Sequence, residues 1–298
     1  MKTNTFILIF IAVMLLTSTL HAQAGEYGFQ FLKIPVSPEL AATANTGDMH
    51  YNSPLGIFHH PAALNWTRGS SIAASQTNWL VGTNMYNLAW RNIMLNQSIG
   101  LGFVYMDNGK FDRRTENGDP IGAYYPMDLK VTGNYAFKLM PNMLLGANLN
   151  LIYEKIDNSS ALGFAADLGY AFLTPITNTA FDFAIKNIGF SSKMDKETID
   201  LPFSVEAGLT TGFDLNVFGI YPSAKLVYLR DHANLLPSIG VQMSVHEIFF
   251  IRCGYKFNYN EEDFSAGFGV NYMNFKVDYA FLNNNLENTH LFGLGWLF

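Results

Sequence analysis

The sequence predicts an all-β fold, a transmembrane antiparallel β-barrel of about fourteen strands carrying an N-terminal plug-like segment. Three observations point there. Residues 70–298 break into short segments in which apolar and polar residues alternate, the period of a strand with two unlike faces. The charges in those segments all fall on the face opposite the large apolar residues. Hydrophobic residues make up 49% of the 298-residue chain and aromatics 15%, while charged residues reach only 14%, against about 25% in an ordinary soluble domain.

The first residues set the compartment. Met1-Lys2 is a short positive start, Phe6 to Leu16 is a nearly unbroken apolar run, and Ala22-Gln23-Ala24 precedes Gly25 as a small-x-small cleavage site. This reads as a secretory signal peptide over residues 1–24, because the run is shorter than the ~20 residues a spanning helix needs. No cysteine follows it, which excludes a lipid-anchored amino terminus. The lone Cys253 has no disulfide partner and reads as a small apolar strand residue.

Residues 25–69 break the alternation. Pro35, Pro38, Pro54 and Pro61, with the small-residue run Ala41-Ala42-Thr43-Ala44, rule out regular strands and predict a turn-rich segment with one short helix. A barrel of this strand number has a lumen too wide for side chains alone to fill, so this segment is expected to fold into it; plain periplasmic disorder is the other reading.

In the strands, Leu129, Val131, Tyr135 and Phe137 oppose Lys130, Thr132, Asn134 and Lys138; Leu145, Ala147, Leu149, Leu151 and Tyr153 oppose Gly146, Asn148 and Asn150. Leu162, Phe164, Ala166, Leu168 and Tyr170 oppose Gly163, Asp167 and Gly169, and Phe181, Phe183 and Ile185 oppose Asp182 and Lys186. The pattern continues with Glu206, Lys225, Arg252, Lys256, Lys276 and Asp278 on the polar face, and Tyr259 falls on the apolar face. A Lys or Arg facing lipid at mid-bilayer costs roughly 2–4 kcal/mol. The charged face, Lys130, Lys138, Asp167, Asp182, Lys186, Glu206, Lys225, Arg252, Lys256, Lys276 and Asp278, must therefore line the lumen. A soluble β-sandwich or lipocalin-like barrel would invert the assignment and bury the apolar face. On the same parity, Leu168 faces lipid, and a serine at the lumen-facing Gly169 is expected to be mild.

Loop lengths favour the membrane reading. The connections at 140–142, 246–248 and 272–274 are tight, while 107–126 and 187–201 are long, and the tight ones share one parity. This is the short-periplasmic, long-extracellular asymmetry of outer-membrane barrels, and it places both termini on the periplasmic side. The chain ends on Phe298, with Trp296, Leu294 and Phe292 on the same face. The long 107–126 connection mixes Lys110, Asp112, Arg113, Arg114 and Glu116 with Phe111, Tyr124 and Tyr125, a combination suited to a partner surface. An ordinary solvated loop is the alternative.

No catalytic constellation stands out: there is no G-x-S-x-G elbow, H-E-x-x-H motif or phosphate-binding loop. The adjacent His59 and His60 point to opposite sides and do not suggest a shared metal. Glu261-Glu262-Asp263 reads as a solvated turn rather than a calcium loop. A net charge of -6 without a basic stripe argues against nucleic acid. No cofactor is expected.

Two stretches resemble a known family. Residues 31–38 (Phe31-Leu32-Lys33-Ile34-Pro35-Val36-Ser37-Pro38), the Ala-rich run to Gly47 and His60-Pro61-Ala62-Ala63-Leu64-Asn65 resemble the opening of PorV/PorQ proteins, relatives of the FadL-like channel barrels. Tyr105-Met106-Asp107-Asn108-Gly109-Lys110-Phe111-Asp112, then Glu116-Asn117-Gly118 and Gly122, are similar to the PorQ branch. One residue departs from the pattern: His60 stands where related barrels carry Asn before the Pro-Ala pair. The resemblance implies an outer-membrane component of the type IX secretion system that anchors a PorZ-like surface partner near PorU-like and PorV-like proteins. A PorV-like cargo-signal shuttle, or a FadL-like channel for hydrophobic small molecules, are its alternatives.

Overall fold

A computed structural model describes residues 28–63, 69–176, 178–230, 234–259 and 262–298. The expected signal peptide, Leu64 and Asn65 of the resemblance motif, and Glu261 of the acidic run lie outside these residues. Fourteen strands form one closed antiparallel barrel: β1 (Gly69–Asn78), β2 (Asn84–Met94), β3 (Gln97–Asp107), β4 (Met127–Met140), β5 (Met143–Ile156), β6 (Ser159–Leu173), β7 (Ala180–Ser191), β8 (Ser204–Thr210), β9 (Phe218–Leu229), β10 (Asn234–Val245), β11 (Phe249–Lys256), β12 (Glu262–Tyr272), β13 (Phe275–Asn284) and β14 (Thr289–Leu297). Each pairs with its sequence neighbours, and β1 pairs with β14, Ser71 opposite Leu297 through Asn78 opposite His290. Closure satisfies the backbone groups that an open edge would leave exposed in hydrocarbon. Reciprocal bonds between Ser70 and Phe298 zip the seam to the last residue.

The two faces separate as the alternation requires. Leu101, Val131, Leu149, Leu168, Phe181, Ile251, Phe268, Phe292 and Leu294 are exposed outward, while Thr132, Asn148, Asn150, Asp167, Ser238 and Arg252 are buried inward. This outward apolar belt around a polar interior is the reverse of a soluble barrel.

Two local features depart from strict alternation. In β7, Lys186 and Asn187 together oppose Asp167 of β6, a one-residue bulge. Asn187 takes the left-handed conformation (φ 59°), and its N–H donates to Asp167 Oδ1 at 2.8 Å. The extra residue resets the parity, so Ile185, Ile188 and Phe190 all avoid the lumen although 185 and 188 are three apart. The strand thus runs on to Ser191, and the expected 187–201 loop begins later. Tyr259 also departs, because the strand ends at Lys256 and the chain turns at Asn258 (φ 64°). Its ring lies within 5.0 Å of Lys256 Nζ, inside rather than on the lipid face.

The connection at residues 108–126 carries its own hairpin, Phe111–Arg114 against Pro120–Tyr124, and residues 192–203 carry a second, Lys193–Met194 against Glu197–Thr198. Both stand at the same end of the barrel. The two-residue turn between β5 and β6 is at this end too, so the long-loop side is not uniformly long.

Residues 28–63 lie inside the barrel. They hold three short helical turns, Gln30–Lys33, Pro38–Ala41 and Pro54–Phe58. The path begins at the long-loop end, where the Gly28 N–H donates to the Asp200 carbonyl and the Phe29 N–H to Glu154 Oε2 at 2.6 Å. It descends past β1, where Ser75 Oγ donates to the Val36 carbonyl at 2.6 Å. It ends near the short turns, where Arg91 of β2 donates to the Ala63 carbonyl. The barrel strands do begin and end at the short-turn side, but the first described residue is at the opposite end, since the chain first traverses the lumen.

Candidate functional site

The inner segment is held mainly through its backbone. Asn134 of β4 and Asn148 of β5 donate to the carbonyls of Pro61 and Ile57, each at 2.9 Å. The same asparagines belong to a ladder across the wall. Asn134 donates to Asn148, Thr132 to Asn150, and Asn148 and Asn150 both donate to Asp167, at 2.7–3.0 Å. With the bulge N–H of Asn187, Asp167 accepts three hydrogen bonds, which keeps a buried charge tolerable.

Ion pairs add to this hold on the other side. Glu39, 2% exposed, accepts from Lys276 Nζ at 2.6 Å, and Arg252 pairs with Asp278 at 2.7 Å. Asp48 pairs with Lys225, which also reaches Glu206 at 3.2 Å; Lys186 meets Glu206 at 3.3 Å. Removing one partner of such a buried pair typically costs about 3–5 kcal/mol, because a charge is stranded.

Two paired glycines let the bend at Pro61 press directly on the wall. Gly146 of β5 and Gly169 of β6 are directly paired, and Pro61 and Ala62 lie against both. A Cβ at Gly169 would lie 2.9 Å from the His60 ring and 3.0 Å from Ala62 N. A serine at Gly169 is therefore not the mild change that its lumen-facing parity suggested; the space it would use is filled.

His60 is fully buried, and its Nδ1 accepts the Ala62 N–H at 3.2 Å while Nε2 lies 3.2 Å from the Phe183 carbonyl. Its ring therefore ties the bend at Pro61 to β7. His59 faces away and accepts the Ser37 N–H on Nε2 at 3.2 Å, joining two passes of the segment. Burial holds both imidazoles neutral, depressing His59 to about 3 and His60 to about 4. No cluster of metal-ligating side chains occurs among the described residues.

Above the inner segment is a cavity of about 850 Å³ that reaches the long-loop end. Its walls are largely apolar, from Phe29, Phe31, Leu32, Ile34, Phe58, Trp79, Val104, Met106, Val227 and Leu236. Lys33, Asp128, Lys130, Glu154, Lys186, Glu206, Lys225, Lys256 and Glu262 supply charge. Lys186 and Lys225 have acid partners, and Lys256 pairs with Glu262. Lys130 makes no ion pair among the described residues; its Nζ lies 5.8 Å from the centroid of the Phe58 ring. Asp167, a lumen-wall carboxylate whose charge acts on Lys130, already accepts from Asn148, Asn150 and Asn187. The cavity is thus a chamber apolar in its larger part, with a set of charged side chains among which the Lys130 ammonium makes no ion pair among the described residues.

The predicted lumen charges are placed accordingly. Lys130, Asp167, Asp182, Glu206, Lys225, Arg252, Lys256 and Asp278 are buried, and Lys138, Lys186 and Lys276 are half-buried. The predicted partner residues do not form one surface. Phe111 and Tyr124 stack at 5.6 Å and line the cavity mouth. Arg113 pairs with Asp157, tying the hairpin to the β5–β6 turn, while Lys110 and Arg114 flank Asp112 at 3.4 and 3.7 Å. Glu116 and Tyr125 are exposed. The apolar chamber was missed from sequence because its lining comes from the inner segment and from strands far apart in the chain.

No family model and no curated protein matches the chain. Solved structures do resemble it. The Pseudomonas putida toluene transporter TodX matches with a TM-score of 0.61 at 11% identity, over 94% of this chain and 98% of that one. A Pseudomonas aeruginosa FadL homologue matches with a TM-score of 0.59 at 12% identity, over 89% and 98% of the two chains. A TodX deltaS2S3 mutant, described as a monoaromatic hydrocarbon channel, gives 0.62 at 11% over 88% and 97%. At these identities the likeness is one of fold. With its closed fourteen-stranded wall and its outward apolar belt, the chain is an outer-membrane β-barrel whose fold is similar to those of TodX and the FadL homologue.

Proposed function

We propose that this barrel captures hydrophobic small molecules from the cell exterior and channels them inward, the FadL-like reading. The observation that carries it is the 850 Å³ chamber at the long-loop end, whose lining is apolar in its larger part and holds the Lys130 ammonium with no ion-pair partner among the described residues. Largely apolar walls with a small number of placed polar groups are the usual form of a small-molecule site. The ligand class that fits is an apolar body with one anionic end. The test is calorimetric titration of the purified barrel with an n-alkyl carboxylate and with the matching alcohol. A charge-assisted hydrogen bond is worth about 1.5–3 kcal/mol, so Lys130→Met should weaken the carboxylate at least tenfold and leave the alcohol unchanged. Absence of binding by either compound to the wild type would remove the channel reading.

The second reading is the PorQ-like anchor of the type IX system, with PorZ-like, PorU-like and PorV-like partners. It is favoured by the projecting hairpin, on which Ile121 is 59% and Tyr125 63% exposed. Shortening residues 108–126 should then leave the barrel in the membrane and release a surface protein, detected by proteomics of the membrane fraction. Under the channel reading the surface proteins are unchanged.

A further inference from the structure

The outer face of the barrel carries a groove of about 330 Å³ where β4 to β7 run side by side. Its floor is Ala147 and the backbone of Gly146 and Gly169; its rims include Tyr135, Leu168 and Phe183. The depression arises because small residues at the floor stand among large ones on the neighbouring strands. All these residues lie in the half of the wall nearest the short turns at 141–142 and 174–179.

This surface belongs to the belt that faces hydrocarbon, which decides what fills it. A water needs two to four polar partners, and the backbone at the floor is already paired between Gly146 and Gly169. An empty groove would forfeit dispersion contacts along its whole lining. The remaining occupant is a hydrocarbon chain from the bilayer. Since the short-turn end faces the periplasm by the loop asymmetry, that chain belongs to the phospholipid leaflet.

We infer that the groove is a binding site for one acyl chain of a phospholipid, seated against the stretch of wall whose inner surface carries Pro61 and Ala62. Here the wall is a single backbone thick, because neither Gly146 nor Gly169 has a side chain. A chain in the groove and the inner segment therefore press on the same two residues from opposite sides. The site is separate from the chamber and does not depend on its ligand.

The test uses the full barrel in nanodiscs of phosphatidylethanolamine containing a fraction of lipid with a diazirine on its acyl chain. Photolysis followed by peptide mapping should concentrate label on residues 135–147 and 168–185. Ala147→Phe, which fills the floor, should reduce that label at least fivefold. Val277→Phe, on the outward face of β13, should leave it unchanged. Ala147→Leu serves if the larger variant fails to show the heat-modified gel shift of a folded barrel. Label spread evenly around the belt, or label retained in both Ala147 variants, overturns the proposal. Photoproducts joining two barrels through this face would also overturn it, by making the occupant a second copy of the chain.

Discussion

Two adjacent residues of β6 face opposite media, so substituting each should damage a different part of the molecule. Leu168 is 51% exposed on the outer belt, and Gly169 meets His60 and Ala62 inside. Leu168 lies five residues from the short-turn end of a fifteen-residue strand. At about 3.3 Å per residue along a strand tilted by about 40°, this puts it on the order of 12 Å in from that end and within the apolar band. Leu168→Arg should therefore destabilise the folded barrel by about 2–4 kcal/mol. The lower figure is already about a thirtyfold change in the folding equilibrium. Gly169→Val adds a Cβ 2.9 Å from the His60 ring, and two methyls beyond it, without touching lipid. Its wall should fold while the inner segment is displaced. Urea unfolding in phospholipid vesicles, followed by heat-modified gel migration, reads the first effect; single-channel conductance reads the second. An unchanged urea midpoint for Leu168→Arg would refute the assigned faces, and unchanged conductance for Gly169→Val would refute the close packing inside.

A cysteine at Asn117, in a Cys253→Ser background, should react with an impermeant thiol reagent on intact cells, whereas one at Asn142 should not; the opposite labelling would invert the barrel. The seating of the inner segment should weaken in acid. Its histidines bind protons below pH about 6.5 when released but, held at about 3 and about 4 by burial, stay neutral when seated. The released state thus gains protons first, and stability present above pH 6.5 falls as the pH drops towards 4. Asp182, 3.9 Å from His60 Nε2, and Asp48, Glu206, Lys186 and Lys225 face these rings and modulate the size of the effect. Limited proteolysis of the segment between pH 7.5 and 4.5 reads it, and a pH-independent cleavage rate would contradict it. Arg113→Ala should change global stability by less than about 1 kcal/mol, since both partners of the Arg113–Asp157 pair are more than a third exposed. It should nevertheless speed trypsin cleavage at Arg114, and an unchanged rate would mean that the pair does not restrain the hairpin.

The wall was legible because lipid imposes a two-residue period and penalises every charge on the wrong face. Lys130, Asp167 and Arg252 could be assigned inward from their neighbours alone. The same rule fails where the backbone adds or turns a residue. Nothing in Lys186-Asn187-Ile188 announces that two residues will face one Asp167, although Asn is a residue that tolerates the left-handed conformation the bulge needs. Asn258 does the same for Tyr259, carrying a ring that alternation assigns to lipid over to Lys256.

The interior was less legible because it is organised around backbone groups. Residues 28–63 could be recognised as unfit for strands from Pro35, Pro38, Pro54 and Pro61, but not by what holds them. Asn134, Asn148 and Arg91 donate to carbonyls of Pro61, Ile57 and Ala63, and a carbonyl carries no residue identity. Lys130 shows the consequence for the chamber. It makes no ion pair among the described residues, and Asp167 already accepts from three asparagines on two strands. The ammonium is thus made available by the wall's own hydrogen bonding. Loosening that ladder, for instance with Asn150→Leu, should leave Asp167 Oδ2 with Asn148 as its one remaining donor, draw Lys130 away from Phe58 and lower the affinity for an anionic ligand without altering the apolar walls.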